Sequence, residues 1–173
     1  MKIKIKKIGK HDYPQFIKKG DWIDLRANET VTYNGPLADI LRQKEGLKYR
    51  SVTFDGPIGI KLNIAAKLPD GFEANVVLRS STPNQYGIIQ ANSYSVIDNS
   101  FCGDNNIWKL FVLPFKSGTI QEGARICQFR INLKQDATIW QKIKWFFCRK
   151  IEIEYVDSLE GEDRGDSGHT GKF

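Results

Sequence analysis

The sequence predicts an all-β protein, built as a barrel or a sandwich. Short segments in which apolar and polar residues alternate recur from residues 2–8 at the start to residues 150–156 near the end. Such alternation is typical of strands with one buried face. Turn-forming sequences such as Leu68-Pro69-Asp70-Gly71 separate the segments. Many short strands with turn signals between them favour a closed or two-layered β fold.

The composition is that of one soluble domain. The chain has 173 residues, of which 40% are hydrophobic and 27% charged, and this length allows a sizeable core. The formal net charge of +6 favours an anionic partner, although a plain solvated surface accounts for most of the lysines. The sequence has no dense run of Lys and Arg interleaved with aromatic residues, so nucleic-acid binding is not expected.

The cysteines and the N-terminus indicate a reducing compartment. Cys102, Cys127 and Cys148 match no zinc spacing, and an odd number leaves no closed set of disulfides. We therefore expect reduced thiols in a cytoplasmic protein. Residues 1–8 lack the apolar centre of a signal peptide, and no apolar run is long enough to span a membrane, so no membrane partner is expected.

The first half of the chain contains predicted strands and one helix. Strands are expected at residues 2–8 and 22–27, and residues 30–32 can extend the second up to a break at residues 34–36. Residues 37–44 have apolar positions at helical spacing and predict a helix. Residues 58–64 alternate again, which indicates a strand with one buried face.

The second half follows the same pattern until residue 138. Strands are predicted at residues 72–78, 86–90, 107–115, 124–133 and 150–156, with a turn at residues 117–118. In residues 138–148, by contrast, the large apolar side chains recur at helical spacing and predict an amphipathic helix. The tail from residue 157 is acidic and then glycine-rich, so we expect it to be mobile unless something orders it.

A first indication of function lies between Val77 and Trp108. Arg79 offers a planar fork of donors that suits a phosphate group, and the hydroxyl groups of Ser80 and Ser81 follow it. These three residues indicate a phosphate-binding turn.

The segment that follows suits a nucleobase. Asn92 and Asp98 flank S-Y-S-V-I, whose composition predicts a strand in a hairpin. Backbone N–H and C=O groups of such a hairpin can read a flat heterocycle, with Phe101 supplying a ring face nearby. Asp98 would stand at its end, free to hold a water. The combination indicates a nucleoside triphosphate pocket in which water attacks phosphorus.

These residues resemble motifs II and III of the trimeric dUTP diphosphatase (dUTPase) family. The remaining motifs are present in the family order: G-D-W-I-D-L-R-A at residues 20–27, E-G-A-R-I-C-Q-F at 122–129 and R-G-D-S-G-H-T-G at 164–171. The wording is most similar to the branch found in bacilli and their phages. The resemblance implies a jelly-roll-like barrel over residues 1–156, a C-terminal arm at 157–173, and a homotrimer with sites shared between subunits.

The resemblance also implies an activity. Members of the family hydrolyse dUTP to dUMP and pyrophosphate with Mg²⁺, which keeps uracil out of DNA and supplies dUMP for dTMP synthesis. By position in the motifs, Asp98 would orient and activate the attacking water, and Gln128 would help to hold it. Asp24 would contact the magnesium ion through water. A carboxylate suits the role of Asp98 because it accepts a hydrogen bond or proton from the nucleophile.

The implied substrate contacts fall into three sets. Uracil would be read by residues 92–98, including Asn92 and Ile97, while Phe101 stands where the family usually has a tyrosine under the deoxyribose. The phosphates would be bound by Arg79, Ser80 and Ser81. The arm would close over them with Arg164, Gly165, Ser167, His169, Thr170 and Gly171.

One feature departs from the common family pattern. The arm has no aromatic residue between Arg164 and Gly171 except His169, so the group that covers uracil must be sought elsewhere. The candidates are Trp108, His169 and Phe173. We rank Trp108 first, with a core tryptophan as the alternative interpretation.

Two segments are longer than the family fold requires, at about residues 33–55 and 135–149. They are either loop decoration or a surface for a protein partner. Two other functions are therefore weighed beside dUTP hydrolysis: a regulatory protein-binding module on the same fold, and a dCTP deaminase. Deamination needs a general acid/base, typically a glutamate after motif III, and residues 107–120 contain no Glu or Asp.

Overall fold

The computed structural model describes residues 1–12, 14, 21–36, 55–148 and 150–165. Within them the strands are β1 Lys2–Lys7, β2 Ile23–Arg26, β3 Val31–Pro36, β4 Ile58–Lys61, β5 Ile64–Lys67, β6 Phe72–Leu78, β7 Ile88–Gln90, β8 Ser95–Asp98, β9 Lys109–Pro114, β10 Lys116–Ile120, β11 Arg125–Leu133 and β12 Glu152–Tyr155. The helices are α1 Thr82–Tyr86 and α2 Ile139–Phe146. The all-β class is confirmed, and the predicted helix at residues 37–44 lies outside the described residues.

The strands form four small sheets. Their orders are β12-β1-β5, β10-β3, β2-β11-β6-β8 and β4-β9-β7. The pairing of β1 with β12 is parallel, and the other described pairings are antiparallel. None of the described helices is long and apolar enough to cross a membrane.

The core forms where the inner faces of these sheets meet. Ile60, Leu62 and Ile64 are fully buried, as their alternation predicts. The ring of Trp108 packs edge-on against Phe129 of β11, with 5.0 Å between the ring centroids. Both side chains are fully buried, so β11 is fixed to the centre of the core.

Residues 117–118 do not form the predicted turn. They lie within β10, and the chain bends earlier, at Phe115, where the N–H groups of Phe115 and Lys116 both donate to the carbonyl of Gly87 at 2.9 and 3.1 Å. β10 then pairs with β3, which runs on through Pro36 instead of ending at residue 34. A register shift between Lys116 and Gly118 accommodates this pairing.

The predicted hairpin around residues 91–94 is wrong in one respect. β7 pairs with β9 and β8 pairs with β6, so the two strands belong to different sheets. The turn between them therefore crosses from one sheet to another. The short helix α1 before β7 was not predicted, since its five residues are too few for a period to be visible.

Helix α2 confirms the amphipathic prediction. Thr138 and Gln141 form a reciprocal capping box at its start, and Trp145 packs on Phe72 with 5.5 Å between the ring centroids. The opposite face is open to solvent, where the large exposed side chains are Ile139, Trp140, Ile143, Phe146 and Phe147. The second insertion thus presents an apolar surface on a fixed helix.

The first part of the tail contacts the barrel. Asp104 accepts hydrogen bonds from Ser158 Oγ at 2.9 Å and from the N–H of Leu159 at 2.8 Å. The carboxylate of Asp163 accepts from the N–H of Asn105 at 2.8 Å, and Leu159 is fully buried. These contacts connect the tail to residues 104–106 as far as Asp163, and the mobility expected for residues 157–173 stays a prediction.

We expect Trp145→Ala to detach α2 from the sheet. The ring is partly buried against Phe72, so its loss should lower the free energy of unfolding by about 1–3 kcal/mol. Trp140→Ala is the matched control, because Trp140 is 76% exposed and should change stability by less than about 0.5 kcal/mol. Urea unfolding of both variants measures this, and equal losses would contradict the packing.

Candidate active site

Most of the described site residues lie on or beside one sheet, β2-β11-β6-β8. Along β11, Cys127, Phe129 and Ile131 point into the core, whereas Gln128 and Asn132 are half-buried on the other face. Directly paired residues of neighbouring strands share a face. The register therefore places Gln128 and Asn132 on one polar face with their partners from β2 and β6, which we call the outer face.

A first group of site residues gathers around Asp24. Asp24 pairs directly with Gln128 across β2 and β11. Its carboxylate is flanked by two guanidinium groups, with Arg79 Nε 3.1 Å from Oδ1 and Arg125 Nη1 3.3 Å from Oδ2. The Asp24 side chain is only 10% exposed, so these two cations balance a carboxylate that is largely removed from water.

Arg79 is continuous with the two predicted serines. Its N–H donates to the carbonyl of Ile126 at 3.2 Å, which fixes the end of β6 beside β11. Ser80 and Ser81 follow as exposed residues at the start of α1, and the Ser81 side chain makes no capping hydrogen bond to the helix. The structure thus places Arg79 beside Asp24 and Gln128, with Ser80 and Ser81 next in the chain, and their binding of phosphates stays a prediction.

A second group forms around Asp98 at the end of β8. The N–H of Ser100 donates to Oδ1 at 2.6 Å, and Arg164 Nη1 lies 3.3 Å from Oδ2. Arg164 also donates to Ser100 Oγ at 2.5 Å. Partial burial acts to raise the pKa of Asp98, but the Ser100 hydrogen bonds and the charges of Arg164 and Lys134 outweigh it and lower the pKa below its ordinary value.

Asn106 places Arg164 in this group. Its side chain accepts from the N–H of Arg164 at 3.0 Å and donates to the carbonyl of the same residue at 2.6 Å. Gly165 is the last described residue of the arm. The predictions for Ser167, His169, Thr170 and Gly171, and the lid candidate Phe173, lie outside the described residues.

The predicted base-reading segment has an open backbone edge. Among the described strands, β8 pairs with β6 only, through Glu73↔Asp98 and Ala74↔Ile97. Alternate N–H and C=O groups of an outer strand point away from its neighbour. Those of β8 can therefore meet a planar ligand. The Ile97 side chain packs partly against the core, while Asn92 lies exposed before the strand.

The two aromatic candidates differ in position. Phe101 is partly buried against the core at the end of the Asp98 turn, so one part of its ring remains accessible. Trp108 is fully buried, and its backbone pairs with Ile64 and Leu62. The prediction that Trp108 covers the base is therefore wrong for this structure, because its ring fills the core instead.

The two groups are far apart within one chain. Asp98 pairs with Glu73, and Glu73 pairs with Asn132 on β11, so Asp98 is four residues along the ladder from Gln128. This corresponds to about 13 Å along the strands and about 10 Å across them. A single water cannot contact both Asp98 and Gln128 of the same chain.

The sequence reasoning missed Arg125, Ser100 and Asn106. Arg125 lies inside motif IV and is exposed at the start of β11, where the register shifts between Arg125 and Cys127. The other two act through hydrogen bonds that only the fold reveals. Among the described residues, no group of three His, Cys, Asp or Glu side chains forms a metal site. Cys102, Cys127 and Cys148 are free thiols, and burial raises the pKa of Cys127.

The fold and the site place this protein among all-β proteins. On one face of its four-stranded sheet, two carboxylates are each paired with arginine. No protein-family model matches the chain. The SPbeta prophage-derived deoxyuridine 5'-triphosphate nucleotidohydrolase YosS of Bacillus subtilis is 37% identical over 155 residues, which cover 90% of this chain and 87% of YosS. The deoxyuridine 5'-triphosphate nucleotidohydrolase of Fusobacterium nucleatum is 31% identical over 118 residues, covering 67% and 68%. The chain belongs to the dUTPase family.

Solved structures share the fold. The dUTPase of Streptococcus mutans superposes with a TM-score of 0.57 at 16% identity, covering 75% of this chain and 94% of that chain. The dUTPase of Staphylococcus bacteriophage 80alpha gives 0.59 at 15% identity, covering 79% and 93%. The jelly-roll-like architecture implied by the motifs is thereby confirmed.

The lowered pKa of Asp98 predicts how stability depends on pH. A carboxyl group with a lowered folded pKa stabilises the fold above its unfolded pKa of about 4, and the contribution is lost as the pH falls through the folded pKa. Arg164→Gln removes one cause of the shift. It should therefore cost more stability at about pH 7 than at about pH 3, by urea unfolding. Equal costs at both pH values would contradict the ion pair.

Proposed function

We propose that this protein hydrolyses dUTP to dUMP and pyrophosphate, and so limits uracil in DNA while supplying dUMP for dTMP synthesis. The support is family membership combined with one structural observation. The residues that match the family motifs form two groups on one sheet, each built around a carboxylate that faces arginine. A protein that had kept the fold alone would have no reason to keep both groups.

In the proposed reaction Asp98 is the base that orients the attacking water. Its lowered pKa keeps it ionised near neutral pH, ready to accept a hydrogen bond. Arg164, now paired with Asp98, is free to turn toward phosphate oxygens, because its side chain is 43% exposed. Arg79, Ser80 and Ser81 bind the phosphates, Phe101 faces the sugar, and Asn92 with the β8 edge reads the base.

The separation of the two groups favours a site shared between subunits. Asp98 and Gln128 can hold the same water only if they come from different chains, since one chain keeps them about 16 Å apart. A homotrimer with three sites at its interfaces satisfies this requirement. Every subunit then contributes its Asp98 group to one site and its Asp24 group to another.

Magnesium fits this arrangement as a cation that arrives with the substrate. Asp24 is the residue that would approach it, and its carboxylate is close to Arg79, which is assigned to the phosphates. Mg²⁺ keeps several waters and needs few protein ligands, so one carboxylate that reaches it through water is sufficient. When bound, the ion would neutralise phosphate charge.

A second role is proposed for α2 as a surface for a protein partner. Ile139, Ile143 and Phe146 lie at positions i, i+4 and i+7 and are 65%, 40% and 82% exposed, which is the pattern of a helix that docks into a groove. Lys142 and Lys144 flank this face, so the groove would have an acidic rim. We also propose a cytoplasmic location, in keeping with free thiols.

The substrate prediction is direct. With Mg²⁺, the purified protein should release pyrophosphate from dUTP and act poorly on dCTP, dTTP and UTP. Buried groups set to pair with uracil would be left unpaired by cytosine, at about 1–3 kcal/mol each. Comparable rates on dCTP and dUTP, or ammonia release from dCTP, would refute dUTP hydrolysis as the function.

Asp98→Asn should bind substrate and lose turnover. The amide cannot accept a proton from the water, so kcat should fall about 10²–10⁴-fold with KM little changed. Asp136→Asn is the control, because Asp136 is 82% exposed and outside the site. Activity of Asp98→Asn within threefold of the control would remove Asp98 from the mechanism.

A shared site makes a distinct prediction for mixed oligomers. Asp98→Asn and Gln128→Ala chains should each be impaired as pure oligomers, but unfolding and refolding them together should restore part of the activity. Some interfaces then combine an intact Asp98 with an intact Gln128. No recovery in oligomers shown by mass spectrometry to contain both chains would exclude the shared site.

A further inference from the structure

The turn at residues 91–94 is held in place by neighbouring side chains. It joins β7 to β8, which lie in different sheets, so no ladder of hydrogen bonds between the two strands holds it in place. It contains Asn92, and Ser93 has a left-handed backbone with φ of 59°. A turn with this freedom needs another restraint if it is to present Asn92 and β8 in a fixed geometry.

The restraint is provided by the side chain of Gln90, the last residue of β7. Its Nε2 donates to the carbonyl of Val76 on β6 at 3.0 Å and to Ser95 Oγ, the first residue of β8, at 3.2 Å. Both protons of the amide nitrogen are thereby used. One side chain thus joins the end of β7 to the two strands of the neighbouring sheet.

Ser95 passes this restraint on to Asn92. Both polar atoms of the Asn92 amide approach Ser95 Oγ, with Nδ2 at 3.1 Å and Oδ1 at 3.3 Å. Ser95 is 5% exposed, so its hydroxyl is shielded from water. Gln90 and Asn92 therefore supply the hydrogen-bond partners that this buried hydroxyl needs. The three side chains form a continuous chain of hydrogen bonds beneath the turn.

Gln90 carries a cost that a purely structural residue would avoid. Its Oε1 is buried and has no hydrogen-bond partner among the described residues, and an unpaired buried acceptor costs about 1–3 kcal/mol. A leucine would fill a similar volume without that cost. The cost indicates that the amide serves the turn more than the stability of the core.

We propose that Gln90 and Ser95 are positioning residues that set the selection of uracil over cytosine. They fix the position of the Asn92 amide relative to the open edge of β8. The donors and acceptors that face the base are then in place before it binds. This inference rests on the proposed function and deepens it. Neither residue needs to touch the reacting atoms, because Gln90 and Ser95 act through Asn92 and the strand.

A merely structural role predicts a different outcome. If the two residues only stabilised the fold, their loss would lower kcat/KM for dUTP and for dCTP by the same factor. If they fix the hydrogen-bond pattern, their loss relaxes discrimination, because a turn that moves can also adapt to cytosine. The ratio of kcat/KM for the two substrates therefore separates the roles.

The experiment measures kcat/KM for dUTP and dCTP in the wild type, Gln90→Leu, Ser95→Ala and Ser95→Thr. Gln90→Leu and Ser95→Ala should reduce the dUTP/dCTP ratio about tenfold or more, which corresponds to about 1.4 kcal/mol. Ser95→Thr keeps the hydroxyl and should restore most of the ratio. Gln85→Leu is the matched control, because Gln85 is an exposed glutamine on α1 and should leave the ratio unchanged.

Binding of dUMP and dCMP, measured by calorimetry, provides a second readout without turnover. The same variants should lose the preference for dUMP. A wild-type ratio retained in folded Gln90→Leu and Ser95→Ala, in both kinetics and binding, would overturn the inference while dUTP hydrolysis stands. A wild type with no activity on dUTP and no preference for dUMP would instead overturn the proposed function.

Discussion

The pairing of β11 with both β2 and β6 is the constraint on which the rest of the site depends. Because side chains alternate with a period of two, a slip of one residue would send Gln128 into the core and Phe129 to the surface. Phe129 prevents the slip, since its ring is enclosed with Trp108 in the core. The packing of two apolar rings therefore decides where Asp24 meets Gln128.

The outer face of this sheet carries polar side chains that do not contribute to the core. Asn132 donates to Asn75, and Asn75 donates to Glu73 at 3.2 Å, so polar side chains on this face pair with one another between the two groups. Each end holds a carboxylate beside arginine. This arrangement holds the two carboxylate–arginine pairs at separate positions on one sheet.

The strands could be predicted from sequence wherever one face is buried, because alternation then has a physical cause. The strands at 2–8, 72–78 and 124–133 were recognised for this reason, and α2 was recognised by its helical spacing. Features decided by long-range contacts could not be predicted. The extension of β10 through residues 117–118 depends on the carbonyl of Gly87, and the sheet change at residues 91–94 depends on which strand β7 meets. Trp108 could be read as a lid or a core residue until the position of Phe129 was known.

The proposed division of the site between subunits also makes the measured rate depend on subunit association. If the sites are shared between subunits as proposed, a single chain holds only halves of sites. Specific activity in a shared-site enzyme should therefore fall on dilution while the circular dichroism spectrum stays the same. The protein concentration at which the specific activity falls would report the strength of subunit association. The reaction rate can therefore be used to follow assembly.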